Sequence, residues 1–330
     1  MRALELRSFD GPDALALAEL PDPSPQHPFF GGETVLIEVH AAGVAFPDLL
    51  MTRGQYQRRL DVPFVPGYEV AGVVRAAPSG GDFDVGERIA AMTVVGGFAE
   101  LAVAPAFGTF RLPDRLSFAE GAGLILNYHT AYFALRVRGG LCDRETLLVH
   151  GAAGGVGSAA LQVARGLGAR SIAVVSSEEK EGLAREAGAD GVLRADGQWR
   201  DHARELTGGR GVDVVLDPVG GERFTDSIRS LAAGGRVVVV GFTEGSIPQV
   251  KVNRLLLTNT GVLGAAWTEY VQERPDMARE IGRSIDRLVD QEYVRLLIGQ
   301  RFPLERASDA LHLIDRRGAL GKVILDVRPA

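Results

Sequence analysis

The stretch Leu147-Leu148-Val149-His150-Gly151-Ala152-Ala153-Gly154-Gly155-Val156-Gly157 decides the fold. An apolar run over residues 146–150 reads as a buried strand. A glycine-rich turn follows, and residues 158–168 then place Leu161, Ala164 and Leu167 on one helical face. Glycines let such a turn be tight and bring backbone N–H groups close to a pyrophosphate. The helix N-terminus adds a partial charge of about +0.5. The strict dinucleotide pattern wants glycine at 152, 154 and 157; position 152 holds Ala152, which is still small. Because the turn lies between a strand and a helix, the pattern predicts a dinucleotide cradle with Ala153, Gly154, Gly155, Val156 and Gly157 around the pyrophosphate.

Downstream, strands and helices alternate. Residues 171–176, 212–216 and 236–241 read as strands, and 261–265 as the sixth strand of the series. Residues 178–187, ended by Gly188, and 223–233 read as helices. This alternation predicts a parallel sheet covered on both faces. A site preferring NAD carries Asp or Glu about 20 residues after the glycine turn, on the ribose 2′-hydroxyl. Here that place is near the uncharged Ser176, and Lys180 lies just beyond it among Glu178, Glu179 and Glu181. A hydroxyl and an ammonium suit a 2′-phosphate, so the expected cofactor is NADPH. Gly241-Phe242-Thr243 and Leu263-Gly264-Ala265 follow the fifth and sixth strands. Their backbone is expected at the nicotinamide end, where the strands present their carboxyl ends.

Upstream, residues 1–118 read as all-β. Short runs at 34–39, 70–74 and 98–103 are separated by turn signals at 21–23, 78–81 and 112–114, which suggests a compact barrel. The tail returns to helices at 276–290 and 307–314 and a strand at 321–327. The net charge of −6 argues against a broad nucleic-acid footprint. The one cysteine, Cys142, allows no intramolecular disulfide and no multi-cysteine metal site, and the six histidines show no metal spacing. The N-terminal residues do not read as a signal peptide. No run approaches the ~20 apolar residues of a spanning helix. A cytoplasmic protein without a membrane segment is expected.

Further segments carry a family resemblance. They are Ala41-Ala42-Gly43-Val44, Pro47-Asp48, Arg53-Gly54-Gln55-Tyr56, Pro63-Phe64-Val65-Pro66-Gly67-Tyr68-Glu69-Val70-Ala71-Gly72-Val73-Val74, Gly86-Glu87-Arg88-Ile89 and Gly97-Phe98-Ala99-Glu100. Leu216-Asp217-Pro218-Val219-Gly220-Gly221 and Gly321-Lys322-Val323 complete the set. In order and spacing, with the glycine turn, they resemble the medium-chain dehydrogenase/reductase superfamily, and within it the zinc-free, zeta-crystallin-like quinone oxidoreductases. The resemblance implies an α/β protein built of two domains. A chaperonin-10-like β-barrel domain would span 1–122 with 266–330, and a six-stranded Rossmann domain 123–265. Substrate and nicotinamide would meet between them, and a homodimer would form through the sheet edge near 261–266.

Zinc-dependent relatives hold catalytic zinc at places that here carry Ala45, Tyr68 and the Leu126-Asn127 pair, so no metal site is expected. Without a Lewis acid, hydride addition to an already electrophilic acceptor is the easier chemistry. The expected substrate is therefore a small quinone or an α,β-unsaturated carbonyl. The resemblance places Tyr56, Tyr128 and Thr130 beside the nicotinamide and substrate, with Tyr56 either donating a hydrogen bond to the acceptor oxygen or walling the pocket. Ala45 stands where quinone oxidoreductases often have asparagine. Ala195 stands where many relatives have a tyrosine near the 2′-phosphate, with Arg194 beside it. Asp48 and Asp217 read as residues that bond the backbone. Two alternatives remain open at this point: an enoyl-thioester reductase, and an NADPH-binding sensor with little turnover.

Overall fold

Strand formation in the N-terminal part follows from alternation. Along β3 (Thr34–Val44) inward Val35, Ile37 and Val39 alternate with partly exposed residues, and the two-residue period buries one face. The structure is a computed structural model that describes residues 1–328. Before β3, β1 (Arg2–Leu6) and β2 (Leu15–Glu19) form an antiparallel pair. After it come β4 (Glu69–Ala76), β5 (Arg88–Met92), β6 (Leu101–Pro105) and β7 (Thr109–Arg111). The parallel sheet uses β8 (Thr146–His150), β9 (Arg170–Val175), β10 (Gly191–Arg194), β11 (Val212–Asp217), β12 (Leu231–Val239) and β13 (Gly261–Gly264). Last come β14 (Ile298–Pro303) and β15 (Lys322–Asp326).

The chain divides into two compact units. One holds Met1–Leu126, Arg274–Arg279 and the described residues from Ile298 on; the other holds Asn127–Glu273 and Glu280–Leu297. In the first, seven strands run in the order β14-β15-β3-β4-β5-β7, with β6 paired to β3. The last strand thus joins the N-terminal sheet, antiparallel to β3 with Val323 opposite Val44. Val35, Ile37, Val70, Ile89, Phe98, Leu311, Val323 and Leu325 share its core.

In the second unit six strands run β10-β9-β8-β11-β12-β13, all parallel. This is the doubly wound order, with the change of direction at β8. Leu148, Ile172, Val215 and Val237 form one side of its core with Trp199 and Phe224.

Several boundaries correct the sequence reading. The N-terminal region is not all-β: Phe46–Thr52 is a helix. Pro47 pre-sets helical φ at its start, and the Asp48 carboxylate accepts from Ala45 N at 2.8 Å. The strand expected at 98–103 begins at Leu101. The helix expected over 223–233 is Phe224–Ser230, and β12 starts at once at Leu231 instead of at 236. Leu231 pairs with Val212, and after a register shift Arg236 pairs with Val214, so tertiary pairing overrides the local pattern. The strand Gly191–Arg194 and the helix Trp199–Leu206 were not foreseen. No helix among the described residues is long and apolar enough to cross a membrane.

Candidate active site

Three parts of the second unit converge on the carboxyl edge of its parallel sheet. The first is the turn after β8. Gly151 adopts φ +58° and Gly154 precedes the helix Gly155–Gly166 as its N-cap, with no side chain capping the first turn. The first-turn N–H groups of a helix have no intrahelical partner, so here they remain for an anion. Gly157 is forced: a Cβ there would lie 2.3 Å from Gly151 O and 2.7 Å from the Ala152 Cα. The helix can thus pack hard against the turn. A Cβ on Gly154 would meet only Gly151 O, at 3.3 Å, which leaves that side of the cradle open.

The second part follows β9. Lys180 Nζ donates to Ser176 Oγ at 3.1 Å, and Ser177 caps the helix Glu178–Glu186 by accepting from Lys180 N. Arg194 at the end of β10 is paired in register with Val175, and its Nε lies 3.2 Å from Glu181 Oε1. The structure therefore brings together a hydroxyl, an ammonium and a guanidinium next to the cradle's neighbouring strand. The third part is the pair of segments Gly241–Thr243 and Leu263–Ala265, at the ends of β12 and β13. Ala265 N donates to Val239 O, and Thr243 N to Pro218 O. Asp217 organises this edge by accepting from Val219 N and Gly220 N at 2.8 and 2.9 Å. These residues fit a phosphorylated dinucleotide: an open anion cradle, and at the end of the neighbouring strand a hydroxyl with an ammonium on it, groups suited to a second phosphate.

Tyr128 and Thr130 lie in a stretch of unusual backbone. Ile125–His129 and Phe133–Arg138 are π-helical around the turn Thr130–Tyr132. The Tyr128 hydroxyl is buried and donates to Gln162 Oε1 and Arg295 O, at 3.2 and 3.3 Å. Gln162 in turn accepts from Arg295 N and donates to Arg295 O. Burial pushes this phenol up from its usual pKa. Its hydrogen-bonding thus goes to holding 128, 162 and 295 together. Thr130 is buried too. Asn127, which the sequence marks only as one of the places where zinc-dependent relatives hold a ligand, has its amide against the first residue of the helix: a Cβ on Gly155 would be 2.5 Å from Asn127 Nδ2.

Tyr56 belongs to the first unit. It lines a cavity of about 320 Å³ with Phe9, Met51, Phe64 and several arginines. Its ring meets that of Tyr68 edge-on with centroids 6.2 Å apart, and its hydroxyl donates to Tyr68 Oη at 3.4 Å. Deeper in this unit Glu69, fully buried, is paired with the Lys322 ammonium and accepts from Leu126 N at 2.8 Å. Asp48 is also fully buried, and burial pushes its carboxyl up to about 7. Catalytic zinc does not fit these residues. Ala45 has no donor atom, Tyr68 is a phenol engaged with Tyr56, and the Glu69 carboxylate is already matched to a cation. Among the described residues no group of three His, Cys, Asp or Glu side chains is placed to hold a metal.

Comparison with known proteins agrees with this architecture. Residues 31–114 match the alcohol dehydrogenase GroES-like domain, and 155–283 match the family described as zinc-binding dehydrogenase. The chain is 36% identical to bovine quinone oxidoreductase-like protein 2 over 89% of this chain and 85% of that one. It is 33% identical to rat quinone oxidoreductase over 98% and 97%. Among solved structures, a probable oxidoreductase from Mycobacterium abscessus is similar at 41% identity and TM-score 0.88, over 99% of both chains. A mycobacterial protein complexed with NADPH is similar at 33% identity and TM-score 0.91, over 99% of this chain and 100% of that one. With the GroES-like sheet, the doubly wound sheet and the glycine cradle in these places, the chain belongs to the quinone oxidoreductase family of the medium-chain dehydrogenase/reductase superfamily, whose members are oxidoreductases.

Proposed function

We propose that this chain reduces small quinones or α,β-unsaturated carbonyls with NADPH. The observation that carries the cofactor side is the pairing of an uncapped glycine turn with the Ser176–Lys180 contact on the next strand. An acid at that place would favour a free 2′-hydroxyl; a hydroxyl beside an ammonium favours a 2′-phosphate. The NADPH complex of the mycobacterial relative supports the same reading.

When bound, NADPH supplies a hydride from its nicotinamide. The backbone of Ala153–Gly157 holds the pyrophosphate, while Ser176 and Lys180 hold the 2′-phosphate. The segments Gly241–Thr243 and Leu263–Ala265 orient the nicotinamide end through backbone groups. Tyr128 and Thr130 act from behind, fixing the stretch that carries Asn127 against the helix. The acceptor occupies the cavity beside Tyr56. Its carbonyl oxygen takes a hydrogen bond from the Tyr56 hydroxyl and then the proton, so that hydride and proton together complete the reduction. Water returns the proton to Tyr56.

The acting form is a homodimer joined along β13. β13 is an edge strand of the parallel sheet, and the neighbouring segment exposes Ile247, Val252, Leu256 and Leu257, each 71–78% accessible. Such side chains together suit a second copy better than water. The paired substitution Leu256→Glu with Leu257→Glu should yield monomers in sedimentation. The lone, exposed Cys142 fits a reducing compartment.

The test is initial-rate oxidation of NADPH and NADH, side by side, with a naphthoquinone and with a small enone. NADPH should be favoured by about ten-fold or more in kcat/KM, as expected of one lost charge-assisted contact. Tyr56→Phe should lower kcat by about 10²-fold, as for a lost proton donor. Failure of every acceptor, or equal use of both cofactors, would overturn this assignment.

A further inference from the structure

The loop after β12 is zipped onto the loop after β11. Thr243 N donates to Pro218 O at 3.1 Å, Glu244 N to Val219 O at 2.9 Å, and Gly221 N to Ser246 O at 3.3 Å. The Asp217 carboxylate fixes the β11 loop, which turns through two left-handed residues, Gly220 at φ +70° and Gly221 at φ +72°. Both glycines leave hollows that the β12 loop fills. A Cβ on Gly220 would stand 3.0 Å from Phe242 Cδ1, and one on Gly221 only 2.3 Å from Glu244 Cδ. Phe242 and Glu244 are seated as knobs in two adjoining holes.

Glu244 is held there by charge. Its Oε2 lies 3.4 Å from Arg223 Nε, with the side chains 29% and 27% accessible. The two facing atoms are out of solvent, and among the described residues neither has a hydrogen-bond partner, so the ion pair answers them. A pair on an open surface would contribute almost nothing; one seated in a backbone hollow fixes where its loop can lie. Arg223 is anchored from behind. Its carbonyl accepts from Ser227 Oγ at 3.2 Å, and Ser227 Oγ is bonded to His150 Nε2 at 2.9 Å. His150 is fully buried and immediately precedes Gly151 of the phosphate turn. One line of contacts therefore runs from the pyrophosphate cradle through His150, Ser227 and Arg223 to Glu244 and the loop that carries Phe242 and Thr243.

We propose that Glu244, seated in the Gly221 hollow and latched to Arg223, is a positioning residue: it sets the Phe242–Thr243 backbone at a fixed span from the phosphate turn, so that the nicotinamide half of NADPH is held in register for hydride transfer. This rests on the reading that NADPH lies along this sheet edge. The adenosine half is held elsewhere, by Ser176 and Lys180, and does not depend on the latch. The latch thus has a signature that general stability lacks, because it acts on one half of the cofactor.

The test titrates NADPH, and adenosine 2′,5′-bisphosphate, which lacks the nicotinamide half, into the wild type, Glu244→Ala, Arg223→Ala and the double variant. Each single variant should bind NADPH about five-fold more weakly, the effect of one partly buried ion pair, while its affinity for the bisphosphate stays within about two-fold of wild type. The double variant should lose no more than either single one, because both break the same contact. Glu244→Gln, which fills the hollow without the charge, should follow the same pattern. With a quinone acceptor, kcat should fall in these variants, and the primary isotope effect from NADPH deuterated at the transferred hydrogen should rise. Equal losses for both ligands would make the pair general scaffolding, additive losses would make the two residues unrelated, and unchanged NADPH binding would leave the pair without this role. Each of these overturns the proposal while NADPH binding by the wild type stands. If the wild type binds neither ligand, the cofactor reading fails and the proposal with it.

Discussion

Replacing Gly157 by alanine separates two opposite expectations. Position 157 lies inside a regular helix, where alanine is normally better than glycine by about 1 kcal/mol. On propensity alone the variant would be stabilised. The geometry says otherwise. The added Cβ would stand 2.3 Å from Gly151 O, 2.7 Å from the Ala152 Cα and 2.9 Å from the Gly151 carbonyl carbon. All three are backbone atoms of the turn itself, so no side chain can swing away. Overpacking of this kind costs about 1–3 kcal/mol. The net effect is therefore a loss of up to about 2 kcal/mol, with each kcal/mol lowering the melting temperature by about 2–4 °C in a unit of this size. The consequence for binding should be larger. To relieve the contact, helix and turn must separate, which moves the first-turn N–H groups away from the pyrophosphate. Losing one or two hydrogen bonds to a charged group, at about 1.5–3 kcal/mol each, weakens NADPH binding by about ten-fold or more. Gly182→Ala is the internal control, because it too lies inside a helix, Glu178–Glu186, and its Cβ would meet nothing within 4 Å. Thermal melts and equilibrium titration with NADPH on the two variants give the answer. A Gly157→Ala protein that melts higher than wild type and binds NADPH equally well would refute the account of the cradle.

Other consequences follow from particular contacts. Lys180→Gln should weaken binding of NADPH by about ten-fold and of NADH by less than two-fold, since only the former carries a phosphate for the ammonium; equal losses in titration would remove Lys180 from the phosphate site. Lys322→Met should destabilise the protein by about 3–5 kcal/mol in denaturant unfolding, because it strands the fully buried Glu69 carboxylate without its cation. Asp48 should make stability fall with rising pH. Its folded pKa of about 7 lies above the ordinary carboxyl value, so between roughly pH 4 and 7 the folded state binds more protons than the unfolded state; the difference in stability between wild type and Asp48→Asn should change across that window and level off above it. Tyr128→Phe should lower stability by about 1 kcal/mol through the lost bonds to Gln162 and Arg295, while kcat changes less than two-fold; a large loss of kcat with unchanged stability would return Tyr128 to the chemistry.

What was legible in the sequence, and what was not, divides along physical lines. The strand Thr146–His150 was read to the residue, because five consecutive buried positions leave no competing period. The glycine turn was legible because backbone demands are written in residue type: only glycine survives at 157. Counting from that turn points to Ser176 and Lys180, since a βαβ unit fixes the distance from one strand end to the next, and the structure joins the two side chains. The misses are places where local pattern and tertiary pairing disagree. Gly191–Arg194 is a four-residue edge strand with only intermediate burial, too short and too wet to show a period. The start of β12 contains Ala232-Ala233-Gly234-Gly235, which reads as the frayed end of a helix until β11 is beside it. The side-chain partnerships were the least legible, because sequence separation hides them. Glu69 and Lys322 are 253 residues apart, and nothing in either neighbourhood announces the other. Yet the geometry around them explains a constraint the sequence does show. A Cβ at Gly43 would lie 2.7 Å from Lys322 Cε, 2.8 Å from Glu69 Cγ and 2.1 Å from Ala122 O. The glycine in Ala41-Ala42-Gly43-Val44 is thus the space in which a buried cation and anion meet. In this unit a charge pair, matched residue for residue, stands beside the places where zinc-dependent relatives keep a metal.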